Sequence, residues 1–132
     1  MKKRKVLIVD DEQSTILEVT HALKHSYDII AVRGGKEAFE TAAMQQPDII
    51  LLDVIMPDVG GYEVIAQLKA SRVTRDIPVI FLTANVNPDD ETHGLSLGAV
   101  DYIFKPFSRG LLMRRIELYF LLEDKLTELA TS

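Results

Sequence analysis

Asp48-Ile49-Ile50-Leu51-Leu52-Asp53 decides the reading of this 132-residue chain. Its aliphatic residues run on without polar alternation. A strand with one face in water alternates; a continuous run such as this is buried on both faces, the habit of a parallel sheet covered by helices. Pro47 ends the helix before it, and the loop Met56 to Gly61, rich in proline and glycine, follows it. The strand predicted over Asp48 to Leu52 therefore delivers Asp53 to its carboxyl end.

The same arrangement recurs on either side. Lys5 to Val9 is apolar and stops at Asp10-Asp11; Asp28 to Val32, Pro78 to Leu82 and Val100 to Phe104 are further short apolar runs. Between them lie helical periods. Ser14 to His25 carries Ile16, Leu17, Val19, Ala22 and Leu23, and Lys36 to Gln46 carries Ala38, Phe39, Ala42 and Ala43. Tyr62 to Ser71 places Val64, Ile65 and Leu68 on one face, and a polar link, Arg72 to Ile77, follows. Asn87-Pro88 reads as an N-cap with proline in the first helical position, Asp89, Asp90 and Glu91 fill that helix's first turn, and Gly98 follows it. A long last helix begins at Ser108. Strict alternation predicts an α/β fold: a five-stranded parallel sheet, order 2-1-3-4-5, with helices on both faces and right-handed crossovers, flavodoxin-like and doubly wound.

Composition narrows the function. Hydrophobic residues make up 47% and charged residues 27%, the balance of one globular domain. The absence of cysteine excludes disulfides, thiolate metal sites and cysteine nucleophiles. Val6 to Val9 is too short to span a membrane, and no signal-type stretch opens the chain, so a cytoplasmic protein is expected. A net charge of −5 argues against nucleic-acid binding by this domain, and the basic Lys2-Lys3-Arg4-Lys5 run reads as a solvated terminus.

In sheets of this class the ligand lies beyond the carboxyl ends of the strands. Asp10 and Asp11, Asp53, Thr83 and Lys105 all stand at such ends. Two like charges about 4 Å apart cost about 4 kcal/mol at an effective dielectric near 20. Three carboxylates with one lysine thus call for shared protons or a cation, and oxygen donors suit a hard divalent ion such as magnesium. A carboxylate can also attack phosphorus to form an acyl phosphate, with metal, ammonium and hydroxyl groups stabilising the transferred oxygens. Asp53 takes the nucleophile's place, Asp10 and Asp11 the metal, and Lys105 and Thr83 the phosphoryl oxygens.

The pattern resembles the receiver domains of two-component response regulators, chemotaxis regulators among them. Val6-Leu7-Ile8-Val9-Asp10-Asp11-Glu12, Ile50 to Pro57, Phe81-Leu82-Thr83-Ala84 and Asp101-Tyr102-Ile103-Phe104-Lys105-Pro106-Phe107 carry the resemblance, which extends from about Lys5 to about Leu122. It implies a phosphoprotein of phosphorelay signal transduction, regulatory and not an enzyme, that catalyses its own phosphorylation as aspartyl phosphate and slow autodephosphorylation. Asp53 would be the phosphoacceptor and a metal ligand; Asp11 would bind Mg2+ directly, Asp10 mainly through water, and Ile55 by its backbone carbonyl. Mn2+ is the expected substitute. Thr83 and Tyr102 would be the switch pair, Tyr102 pointing inward in the active form, and the bond before Pro106 would be cis. The donor would be a sensor histidine kinase or phosphotransfer protein. The responding surface would be the fourth helix, fifth strand and fifth helix, which, like the C-terminal helix, is also a candidate homodimer surface.

Several positions depart from common members. Ile55 is apolar and would limit water access to the acyl phosphate, whereas Asn85 would orient a water. Val59-Gly60-Gly61 replaces an acidic-Gly turn, predicting a mobile loop. Val100 stands where many DNA-binding members carry an acid, so their ion-pair dimer is not expected. Asp58 reads as a turn residue. His21 and His25, four apart, have metal spacing but no third ligand, and His93 reads as an ordinary surface histidine.

The receiver unit is assigned to residues 1–122, and 123–132 to a helical extension or linker. Tyr119, Leu122, Leu126 and Leu129 are spaced as a short seam: either an ordinary helix end or a helix pairing with a second copy or leading to an output domain. An aspartyl phosphatase with magnesium is the rival class, disfavoured by Ile55 where a second acid is usual. A receiver-like module that takes no phosphate would lack the acid pair or the lysine, and a P-loop or flavodoxin-type nucleotide site lacks its Gly-rich loop.

Overall fold

The computed structural model describes residues 2–84 and 87–131. Five strands, β1 (Lys5–Val9), β2 (Asp28–Val32), β3 (Ile49–Leu52), β4 (Val79–Thr83) and β5 (Asp101–Phe104), pair in parallel in the order β2-β1-β3-β4-β5. They alternate with α1 (Gln13–Leu23), α2 (Ala38–Gln45), α3 (Gly61–Ala70), α4 (Pro88–Ser96) and α5 (Arg109–Thr131). Strand order and alternation are those predicted.

The uninterrupted aliphatic runs are explained by two cores. Leu7, Val9, Ile50, Leu52, Val79 and Phe81 point to one face, where Ala38 and Ala42 of α2 and Val64, Ile65 and Leu68 of α3 cover them. Val6, Ile8, Ile49, Leu51, Ile80 and Leu82 point to the other, against Ile16, Val19 and Leu23 of α1 and Leu112, Ile116 and Phe120 of α5. Successive side chains alternate sides, so a strand covered on both must be apolar throughout. The register sets Val9 beside Leu52, Leu52 beside Phe81 and Thr83 beside Phe104. The residues that follow these strands therefore share one rim.

Element ends differ from the sequence reading where tertiary hydrogen bonds decide them. The second helical segment opens as a 3-10 turn, Gly35–Glu37, whose Gly35 and Lys36 amides donate to the Asp58 carboxylate. Pro78 has no amide to join the ladder, and β4 begins one residue later; its carbonyl still accepts from Ile50. The first helix ends at Leu23, so His25 lies beyond it and His21 and His25 do not share a helix face. The predicted Asn87 cap is present, accepting from the Asp89 amide, and before α5 the Ser108 hydroxyl accepts from the Leu111 amide.

Helix α5 runs unbroken through Leu122 to Thr131. Arg4 ties it to the body: its guanidinium lies over the Phe120 ring, 4.5 Å from the centroid, and pairs with Asp124 at 2.5 Å. Leu122, Leu126 and Leu129 are exposed, while Tyr119 donates its hydroxyl to the Val100 carbonyl at 2.6 Å. Among the described residues no helix is long and apolar enough to cross a membrane.

Burial predicts a contrast on two leucines. Leu51 is fully buried and Leu121 is exposed. Leu51→Ala should lower unfolding free energy by about 2–5 kcal/mol in urea denaturation, and Leu121→Ala by less than about 0.5 kcal/mol.

Candidate functional site

Four adjacent strands, β1, β3, β4 and β5, build the rim from their carboxyl ends. The Asp10 amide donates to the Val32 carbonyl and the Asp53 amide to Val9, so each acid is held by the strand beside it. The Lys105 amide donates to the Thr83 carbonyl, joining the ends of β4 and β5. The peptide bond between Lys105 and Pro106 is cis, as expected.

The side chains converge. Asp10, Asp11 and Asp53 each offer a carboxylate oxygen, all within 4.8 Å of one another. Lys105 reaches in from the far side, its Nζ lying 2.8 Å from Asp10, 3.1 Å from Glu12 and 3.7 Å from Asp53. An open cleft of about 340 Å³ is lined by Asp11, Glu12, Asp53, Ile55, Thr83, Ala84 and Lys105. The structure thus brings together Asp10, Asp11, Asp53, Thr83 and Lys105, with Ile55 at the lip, its side chain largely exposed. Asn85 lies outside the described residues.

Electrostatics at this rim are unbalanced. Asp10 and Asp53 are buried, yet four carboxylates face a single ammonium. Burial, then the Asp10 charge, push the Asp53 carboxyl up to about 6, although Lys105, the Thr83 hydroxyl and the Val54 amide pull the other way. Burial also presses on the Lys105 ammonium, but hydrogen bonding to Asp10 and the charges of Asp10 and Asp53 outweigh it and leave its pKa above the ordinary value. Backbone amides hold the carboxylates in fixed planes: Val54 donates to Asp53 Oδ1 at 2.8 Å and Glu12 to Asp10 Oδ1 at 2.9 Å. The donor set is all oxygen, anionic and partly open to water, which fits a hard divalent cation that keeps some of its hydration.

The loop after Asp53 is fitted closely. Gly61 donates to the Val54 carbonyl at 2.7 Å, and a Cβ on Gly61 would stand 2.2 Å from the Asp53 carbonyl oxygen. Only glycine allows α3 to start against the back of the acceptor residue. Asp58 fastens the same loop to the 3-10 turn, and those amide hydrogen bonds, from Lys36 foremost, hold its carboxyl below the usual range. The segment predicted to be mobile is therefore tied at both ends.

Tyr102 lies inward, 4% exposed, against Phe81 at 5.6 Å and Phe104 at 5.3 Å between centroids. Tyr62, which the sequence did not single out, meets Phe81 edge-on and gives its hydroxyl to the Asp90 carbonyl at 2.9 Å; His93 packs edge-on against it. Glu12 was likewise missed as a lysine partner. It stands at the N-cap of α1, where a short polar side chain would close on the helix, but it makes no cap bond. That unusual cap is the only hint in the sequence. Asp101 pairs within the chain with Arg115 at 2.6 Å.

The chain is similar to known proteins in sequence and fold. The family model described as response regulator receiver domain matches residues 6–117. A probable cyclic di-GMP phosphodiesterase of Vibrio cholerae is 48% identical over 114 residues, covering 86% of this chain and 26% of that protein. The alkaline phosphatase synthesis transcriptional regulatory protein PhoP of Bacillus subtilis is 42% identical over 115 residues, covering 86% of this chain and 47% of that one. The chain thus spans only part of these relatives, half or less. The solved chemotaxis protein CheY4 of Vibrio cholerae superposes with a TM-score of 0.82 at 29% identity, over 87% of this chain and 97% of that one.

The raised Asp53 pKa has a measurable sign. Above about pH 6 the folded protein holds a charge that the unfolded chain carries more cheaply; between about 6 and the ordinary 3.8 the folded form takes up the proton first, and below that the difference is gone. In chelator, Asp53→Asn should be more stable than wild type at neutral pH. Its advantage should shrink as pH falls through about 6 and vanish near 3.8, as read by urea denaturation at a series of pH values.

Proposed function

From the premise that this chain belongs to the response regulator receiver domain family, we propose that it is a switch operated by transfer of a phosphoryl group to Asp53. The observation that carries this is the close approach of the Asp10, Asp11 and Asp53 carboxylates beside one shared ammonium. Asp10, Asp11 and Asp53, with the backbone carbonyl of Ile55, would hold Mg2+, or Mn2+ in its place. When bound, the cation offsets negative charge at the site and screens the attacking carboxylate from the incoming phosphoryl group.

The protein's own residues supply the rest. Asp53 must be ionised to attack, and a carboxyl near 6 is mostly so at neutral pH. An oxygen of Asp53 forms a bond to phosphorus as the bond from phosphorus to the donor nitrogen of phosphohistidine breaks; the imidazole leaves and takes a proton from water. The Val54 amide keeps the carboxylate plane fixed during this exchange. Lys105, held near by Asp10 and Glu12, moves onto the phosphoryl oxygens, and Thr83 donates its hydroxyl to them. Ile55 at the lip hinders water from reaching the acyl phosphate.

Phosphorylation takes the charge at position 53 from about −1 to about −2 at neutral pH, and this added charge shifts a two-state equilibrium toward the form in which Thr83 has moved toward the phosphate and Tyr102 lies inward. The surface of α4, β5 and α5 reports the change. Residues 1–122 make up the receiver unit, and 123–132 extend α5 toward an output or a second copy. The donor is a histidine kinase or phosphotransfer protein. The relatives include a probable phosphodiesterase and a transcriptional regulatory protein, which supports a unit that serves different outputs.

Intact-mass spectrometry after treatment with acetyl phosphate and magnesium tests the proposal. Wild type should gain one phosphoryl group, and Asp53→Asn or chelated wild type none. Lys105→Ala should react about 100-fold more slowly, as expected on losing one donor to developing charge. A bound cation favours the ionised carboxylate, so at saturating magnesium the wild-type rate should hold as pH drops to about 6 and fall only below it. An equal gain in Asp53→Asn would remove Asp53 from its role.

A further inference from the structure

We propose that Gly94 is a positioning residue: it forms the seat that lets the Tyr102 ring lie inward, and a side chain at this position drives the ring out. Gly94 is buried within α4, in a helix interior where alanine is the better residue. Its backbone gives no reason for glycine, because the positive-φ glycine among the described residues is Gly98, at the helix end. The reason is space. A Cβ on Gly94 would stand 3.1 Å from Cδ2 and Cε2 of Phe81 and 3.1 Å from Cε2 of Tyr102.

Such a contact is tighter than side chains ordinarily make, so a neighbour must give by a few tenths of an ångström. Phe81 is fully buried, with Tyr62 and Tyr102 against it at 5.4 and 5.6 Å, and has nowhere to go. Helix α4 is fastened to α3 through the Tyr62 hydroxyl on the Asp90 carbonyl and through His93 on the Tyr62 ring. Tyr102 is the group free to yield. Its ring gains burial by lying inward, but its hydroxyl is buried without a well-formed hydrogen bond among the described residues. Turning outward returns that hydroxyl to water. Two opposed contributions of similar size make the side chain two-state, and the missing Cβ of Gly94 favours the inward state. The consequence for signalling rests on the reading of Tyr102 as part of the switch; the seat itself does not.

Fluorotyrosine NMR tests both separately. The chain has four tyrosines, and Tyr102→Phe assigns the signal of interest. In the unphosphorylated protein, Gly94→Ala should move the Tyr102 signal from solvent-shielded toward solvent-exposed, cutting the inward-to-outward ratio by about tenfold, the factor that an overpacked contact implies. Added beryllofluoride with magnesium, as a phosphoryl mimic, should then be needed at a concentration higher by the same factor. A folded Gly94→Ala protein whose Tyr102 stays shielded overturns the seat, as does relief by movement of α4 with the ring still buried. A wild-type Tyr102 signal indifferent to beryllofluoride counts against the switch reading alone, since the free-protein comparison still judges the seat. If Gly94→Ala proves too unstable for spectroscopy, chemical denaturation decides. The Gly94→Ala step should be more favourable in a Tyr102→Ala background than in wild type, and equal steps overturn the proposal.

Discussion

Carboxylates crowded at a partly buried sheet edge are the constraint on which the rest of this molecule turns. Asp10 and Asp53 are buried, Asp11 stands beside them, and Lys105 is the single ammonium among them. Like charges this close repel by several kcal/mol at the dielectric of a protein surface, about 4 kcal/mol for a pair 4 Å apart at an effective value of 20. A fold seeking only stability would put apolar residues here. The arrangement persists because two cores, one on each sheet face, hold the strand ends in register whatever the charges prefer.

Charge strain is also what makes the site responsive. Lys105 has three carboxylates within 4 Å and sits closest to Asp10. Lys105 and the Thr83 hydroxyl both interact with Asp53 and would respond to any change in its charge. From Thr83 the path runs along β4 to Phe81 and across to Tyr102 and α4. The site and α4 are thus neighbours through one packed layer, while α5 lies against the other sheet face.

Much of this was legible in the sequence, for a physical reason. A strand buried on both faces must be apolar at every position, so β1, β3 and β4 could be read directly, and the acids ending them had to share one rim. The cis bond at Pro106 followed from the family resemblance, not from pattern alone, whereas the resemblance tied an inward Tyr102 to the active form. What escaped depends on distant partners. The Asp58 carboxylate reaches across to Gly35 and Lys36 and replaces the first helical turn with a 3-10 turn. Glu12 meets Lys105 from the opposite end of the chain, and Tyr62 joins an aromatic layer drawn from four elements. No local period encodes such contacts. The start of α2 and the end of α1 were misplaced because loops, capped from elsewhere, set them.

The central claim is that the three aspartates form a site for a doubly charged ion. Anomalous diffraction from crystals soaked in manganese tests it most directly. The account predicts one strong peak among the carboxylates of Asp10, Asp11 and Asp53, absent in Asp11→Asn crystals. A rim left empty at saturating manganese, with those carboxylates undisturbed, would contradict it.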